Sequence, residues 1–237
     1  MSEPLDVFQK IYVINLAART DRRREMQEQF GRIGMRLDDP KVELFEAIRP
    51  DDADGFPSVG SRGCFLSHLG VLKRASASRL ESILILEDDL NFADDFAAKM
   101  APVAQRLGRL DWSIFYGGYR VDREPDPPTS GCSELPGAEG VGTTHFIGLH
   151  GAAIASAAAY LDAQLGRPPG HPDGGPMHVD GAYCWFRRTH PEFRTLLAVP
   201  QLGFQRPSRT DVHDLRWYDR SVGVRSILSV IRRLKSG

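Results

Sequence analysis

The chain has 237 residues, 41% hydrophobic and 26% charged, with a formal net charge of −1. That suffices for one sizeable core in an ordinary globular protein, and it gives no charge-based reason to expect a nucleic-acid partner. Three cysteines, Cys64, Cys132 and Cys184, lack Cys-x-x-Cys spacing and so indicate neither a zinc site nor a disulfide framework. Thiols kept in a reducing cytoplasm account for them most simply. No N-terminal apolar segment reaches signal-peptide or spanning length, so a cytoplasmic protein is expected, touching a membrane at most from its surface.

Lys10 to Leu16 is β-branched and apolar and predicts a first strand. After a short loop, Met26, Phe30 and Ile33 recur at helical spacing, with Thr20 or Asp21 as N-cap. A strand, a loop and a helix open a nucleotide-binding α/β unit. The loop lacks Gly-x-Gly-x-x-Gly, so a dinucleotide cradle is not supported. Arg19 and Arg22 stand at the helix start, where the macrodipole disfavours cations; an anionic ligand such as a diphosphate would reverse that mismatch. The alternative is a solvated basic helix start.

Lys41 to Ala47 predicts a second strand, and residues 51–61 a loop rich in Asp, Gly, Pro and Ser. Gly63 to Leu72 carries apolar residues at 65, 69 and 72 and predicts a helix. Ser67 and His68 then fall in its first turns, where backbone N–H groups can receive an anion. For His68 the alternative is a satisfied structural histidine.

Ser82 to Leu86 is a short aliphatic run that stops at Glu87, Asp88 and Asp89. It predicts a strand buried on both faces. Three carboxylates at its end repel one another unless something positive sits there, and hard oxygen ligands suit Mg²⁺ or Mn²⁺. Open α/β sheets bind ligands at that end of their strands. The competing reading makes these acids the cap of a helix from Phe92 to Leu107.

Asp111 to Gly118 predicts a strand ending in two glycines that permit close backbone approach. Residues 119–144 and 166–178 are rich in Gly and Pro and read as lid segments that order on ligand binding. Between them, His145 to Ala155 reads as a strand pair or bent strand, and Ser156 to Leu165 as a small-residue helix. Asp180 is expected to N-cap a helix beginning near Val179, and Thr195 to Val199 to form a last strand.

Four blocks, in order, resemble family 25 glycosyltransferases, the group that holds bacterial lipopolysaccharide sugar transferases and collagen galactosyltransferases. They are Tyr12 to Leu16 with Arg19 and Asp21-Arg22, Gly63 to His68, Leu84 to Asp89, and Asp180 to Tyr183 with Gln205 and residues 208–211. The resemblance implies a GT-A-like, Rossmann-type α/β/α sandwich with a mostly parallel central sheet over residues 1–219. It further implies a nucleotide-diphosphate sugar donor such as a UDP-sugar, a glycan or lipid-linked glycan acceptor, and a divalent cation, Mn²⁺ or Mg²⁺. Carried onto this chain, it makes Asp89 a metal ligand, Glu87 either a metal ligand or a partner of the ribose, and His213 the candidate further ligand. Asn15, Arg19, Arg22, Ser67, His68 and Asp88 become donor-binding residues. Transfer with inversion needs a base on the face of the sugar away from the metal, and Asp180, on another element, fills that role. Two other readings remain: a non-catalytic nucleotide-sugar or glycan binder, and a metal-dependent nucleotidyltransferase. The latter normally needs a Gly-rich or lysine-bearing phosphate loop, and Ala17 to Thr20 is neither.

Residues 220–237 read as a basic amphipathic tail, with Val224, Ile227, Leu228, Val230, Ile231 and Leu234 gathered on one side of a helical wheel. Such a helix either lies on an anionic membrane surface or packs on the catalytic domain.

Overall fold

The computed structural model describes residues 5–125 and 131–206. The predicted tail, His213 and the stretch 208–211 lie outside the described residues, as does the expected domain boundary at 219.

Residues 10–46 form β1 (Lys10–Asn15), α1 (Thr20–Arg32) and β2 (Val42–Glu46). Then come α2 (Val59–Ala77), β3 (Ser82–Glu87), β4 (Leu90–Phe92) and α3 (Phe96–Leu107). The second half of the chain supplies β5 (Ile114–Arg120), β6 (Cys132–Glu134), β7 (Gly142–His150), α4 (Ala152–Leu165), α5 (Val179–Thr189), β8 (Thr195–Ala198) and β9 (Gly203–Gln205). Among the described residues seven strands make one sheet in the order β2-β1-β3-β7-β5-β8-β6, and β4 pairs with β9 beside it. β2, β1, β3, β5 and β8 run in one direction; β7 and β6 run against it.

Strand side chains alternate between faces, so each strand feeds two cores. Tyr12, Ile14, Ile83, Ile85, Ile147 and Leu149 lie on one face with buried residues of α2, α4 and α5. Ile11, Val13, Leu84, Leu86, Phe115 and Phe146 lie on the other with those of α1 and α3. Each such fully buried side chain is worth about 1.5–3 kcal/mol, which is why the aliphatic run of β3 sits at the sheet's centre. The mostly parallel α/β/α sandwich of the GT-A-like expectation is the architecture present.

Several local expectations are corrected. Helix α2 starts at Val59, because Ser58 and Ser61 close a capping box inside the stretch expected to be loop. Ser67 and His68 therefore lie in mid-helix, where the backbone N–H groups are already bonded. The acids at 87–89 do not cap a helix: β4 intervenes, and α3 begins at Phe96. Helix α5 is capped by His178, which places Asp180 inside its first turn, and α1 is capped by Arg19 without a side-chain bond. Residues 131–144 are not loose either. β6 pairs with β8, and the buried Arg187 guanidinium donates to the carbonyls of Leu135, Pro136 and Glu139.

The glycine pair in β5 has the close-approach role its composition implied. A Cβ on Gly118 would lie 2.4 Å from His145 Nε2 and 2.5 Å from the carbonyl oxygen of Gly203. Gly118→Ala is expected to lower unfolding free energy by about 1–3 kcal/mol, as overpacking does, with an unchanged urea m-value. An unaffected urea midpoint would show that β5 and β9 can separate freely.

Candidate active site

The three adjacent parallel strands β2, β1 and β3 end on the same side of the sheet, and a cleft of about 380 Å³ opens there. Ile14, Leu16 and Arg19 line it from the end of β1, residues 47–50 from the end of β2, and Glu87, Asp88 and Asp89 from the end of β3. Helix α2 closes one side with Val59, Gly60, Gly63, Cys64 and Ser67. The wall is close-fitting: a Cβ on Gly63 would stand 2.7 Å from the carbonyl oxygen of Ile48. Ser67 secures the same approach, accepting from the Ile48 N–H at 2.9 Å and donating to the Gly63 carbonyl at 2.7 Å. Its hydroxyl is thus engaged in joining α2 to the 47–50 loop.

Each acid of the triplet has a different environment. Asp88 accepts from Asn15 Nδ2 at 2.7 Å, which ties the ends of β3 and β1 together. Burial raises the Asp88 pKa, and the Asn15 bond and the charges of Arg22 and Arg19 work against that rise. Glu87 Oε1 accepts from Thr144 Oγ1 at 2.8 Å and lies 3.4 Å from His68 Nε2. Burial alone would raise the Glu87 pKa, but the bonds from His68 and Thr144 hold it below the ordinary carboxylate value. Its Oε2 has no partner among the described residues. Asp89 is the unsatisfied member. Gln205 Nε2 donates to its Oδ2 at 3.0 Å, while Oδ1 is buried without a hydrogen-bond partner. Burial, and then the charge of Glu87, push the Asp89 pKa up to about 7.

The basic residues divide. Arg19 lines the cleft but forks onto Asp21, at 2.9 Å and 2.8 Å. Arg22 is buried beside Glu25 at 3.8 Å, and its charge is felt by both Asp88 and Asp89. Arg49, at the mouth of the cleft, pairs with no acidic side chain among the described residues.

His68 is fully buried, with Nδ1 3.4 Å from the Tyr183 hydroxyl and the two rings edge-to-face. It thereby links α5 to Glu87. Asp180, one turn earlier on α5, accepts from the Gly181 N–H at 2.7 Å and from the Thr143 N–H at 3.4 Å. It is not part of the cleft wall around the triplet. Its charge nonetheless joins those of Glu87 and Asp89 in acting on Cys64, whose thiol pKa burial chiefly pushes up.

Of the residues singled out in the sequence, Asn15, Arg19, Arg22, His68, Glu87, Asp88 and Asp89 are gathered in or against one site, and Ser67 forms its wall. Arg49, Cys64, Thr144 and His145 were missed as site residues. Thr144 and His145 come from β7, whose antiparallel course brings its early residues beside the end of β3 (Leu86 pairs with Phe146). The signal available was the polar pair Thr144-His145 ahead of an apolar strand.

A Rossmann-type α/β sheet with acids and arginines collected at the carboxyl ends of adjacent parallel strands places this cleft where open α/β sheets bind their ligands. Residues 8–119 match the family model described as Glycosyltransferase family 25 (LPS biosynthesis protein), and every cleft-lining residue lies within that stretch. Over that stretch the chain resembles the family 25 glycosyltransferases. It is 32% identical over 149 residues to procollagen galactosyltransferase 1-B of Xenopus laevis, covering 54% of this chain and 24% of that protein. It is 28% identical over 177 residues to inactive glycosyltransferase 25 family member 3 of Homo sapiens, covering 66% of this chain and 29% of that one. The chain thus spans roughly a quarter of the length of these curated relatives. A solved glycosyltransferase involved in glycosylation of the major capsid of PBCV-1 aligns with TM-score 0.40 at 12% identity, covering 80% of this chain and 92% of its own.

Proposed function

We propose that this protein transfers a hexose, galactose or glucose, from a UDP-sugar to a glycan acceptor with inversion at the anomeric carbon. The observation that carries this reading is the convergence of Glu87, Asp88, Asp89, Arg19 and Arg49 on one cleft at the ends of three parallel strands. Similarity to the Xenopus procollagen galactosyltransferase favours a galactosyl donor, and similarity to a family of lipopolysaccharide biosynthesis proteins favours a lipopolysaccharide-type acceptor. A lipid-linked acceptor would place the work at the cytoplasmic face of a membrane. Among the described residues no helix is long and apolar enough to cross one.

The residues present fit a hard divalent cation, Mg²⁺ or Mn²⁺, because Asp89 Oδ1 is a buried oxygen with no partner and a carboxylate is the ligand such ions take. Asp89 and Glu87 would hold it; when bound, it counters the charge developing on the departing diphosphate. The chain's own residues do the rest. Asn15 fixes Asp88, and Thr144 and His68 fix Glu87, so the triplet is oriented before the donor arrives. Arg49 and Arg19 supply charge-assisted donors for the diphosphate, Arg22 adds positive charge from beneath, and Asp180 takes the acceptor hydroxyl proton.

Incubation with Mn²⁺ and a panel of UDP-sugars tests this. One UDP-sugar is expected to bind and to release UDP slowly, with chelation stopping both. Tight binding without release, to water or to any glycan offered, would favour the non-catalytic reading that the human relative's name keeps in play. Absence of binding to every UDP-sugar would overturn the proposal.

A further inference from the structure

Cys64 has no part in the reaction just described, yet its Sγ, a ring nitrogen of His68 and a carboxylate oxygen of Glu87 all lie within 4.8 Å of one another. Cys64 and His68 are four apart on α2, which puts both on one face of the helix. Glu87 comes from the end of β3, and its Oε1 is already 3.4 Å from His68 Nε2. We propose that Cys64, His68 and Glu87 form a site for a thiophilic divalent ion, Zn²⁺, distinct in chemistry from the oxygen-only position at Asp89.

Three features beyond proximity favour this assignment. The donor set is one sulfur, one imidazole nitrogen and one carboxylate oxygen, a combination that suits Zn²⁺ and not Mg²⁺. The nitrogen turned away from Glu87 has its own partner: His68 Nδ1 faces the Tyr183 hydroxyl at 3.4 Å. Burial keeps that phenol protonated, so its oxygen can accept from Nδ1–H while Nε2 coordinates. Finally, Cys64 and Glu87 both line the cleft, so three protein ligands would leave the fourth position open to it, the arrangement of an accessible zinc site. Bringing the ligand atoms to bonding distance needs Cys64 and Glu87 to close by on the order of 1 Å, given Zn–S near 2.3 Å and Zn–N near 2.0 Å. As the Zn–S bond forms, the thiol gives its proton to solvent.

Sharing Glu87 with the cation beside Asp89 would bring two dications close together, so each ion is expected to weaken the other's binding. Zn²⁺ is therefore expected to act as an inhibitor that Mn²⁺ relieves only partly. That consequence rests on the transferase reading; the site itself does not. Its test is made on the full-length protein without any donor. Titration with Co²⁺, the spectroscopic stand-in for Zn²⁺, is expected to give a thiolate-to-metal charge-transfer band in the near ultraviolet that one equivalent of Zn²⁺ abolishes. Zn²⁺ should also protect one thiol from alkylation, identified as Cys64 by peptide mapping. Cys64→Ser, confirmed folded by circular dichroism, should lose the band and bind Zn²⁺ at least about ten-fold more weakly. A missing band in the parent protein would overturn the proposal without recourse to any variant. So would a band that persists in Cys64→Ser, since Cys132 and Cys184 remain in that protein.

Discussion

Asp89→Asn is expected to stabilise the metal-free protein above neutral pH and, in the same molecule, to lower sugar transfer on the order of 10²–10³-fold, the equivalent of several kcal/mol of lost charge stabilisation. Asp89 is pressed from two sides. Burial first, and the Glu87 carboxylate second, raise its pKa to about 7. In the unfolded chain the group ionises at the ordinary carboxylate value, so the folded state is favoured while Asp89 is protonated and loses stability as pH rises toward 7 and through it. Asparagine keeps the shape and cannot ionise. Melting temperatures of the two proteins in chelator should therefore agree at low pH, diverge across that interval and remain apart at pH 8, with the variant the more stable. Mn²⁺ should then raise the melting temperature of the parent protein at pH 8 and leave the variant unchanged, because a ligand stabilises only the state that binds it. A variant less stable than the parent in chelator at pH 8, or one with an equal Mn²⁺ gain, would remove Asp89 from the cation site.

Asp180→Asn is expected to slow transfer by roughly 10²–10⁴-fold, the usual contribution of a positioned general base, with donor affinity unchanged. Both oxygens of Asp180 are held, one by the Gly181 N–H and the other by the Thr143 N–H, so the group is fixed between α5 and the start of β7. It also stands in the first turn of α5, where a carboxylate favours the helix by about 0.3–1 kcal/mol. Loss of that small term lowers the melting temperature under either role. Kinetics separate them: a base lost from the transition state lowers kcat with little change in donor KM. Normal transfer by a folded Asp180→Asn protein would leave Asp180 a helix-start residue only.

How far the sequence could be read depended on whether a signal was local. β1 and β3 were legible because aliphatic runs of that length, buried on both faces, have few other homes. The triplet was legible as a cluster because its members are adjacent in the chain. The start of α2 was misread for a local reason too: Ser58 and Ser61 lie in a stretch whose Asp, Gly and Pro content signals loop, yet their capping box is enough to begin the helix there. β4, β6 and β9, each three residues long, carry too little pattern to show before their partners are known.

The sequence by itself determined the α/β class, the two-faced burial of the central strands, the family resemblance and the gathering of acids at one strand end. Only the tertiary structure decided what each acid does. Glu87, Asp88 and Asp89 are chemically near-equivalent in sequence, and partners from distant segments make them different. Thr144 and His68 hold Glu87, Asn15 binds Asp88, and Gln205 satisfies only one oxygen of Asp89. Those partners lie 19 to 116 residues away, and hydrogen bonds act over about 3 Å in space whatever the separation along the chain. The same limit hid the site at Cys64. Spacing along α2 shows two ligands on one helical face, but the third comes from β3, and only the packing of that helix against the sheet brings it within reach.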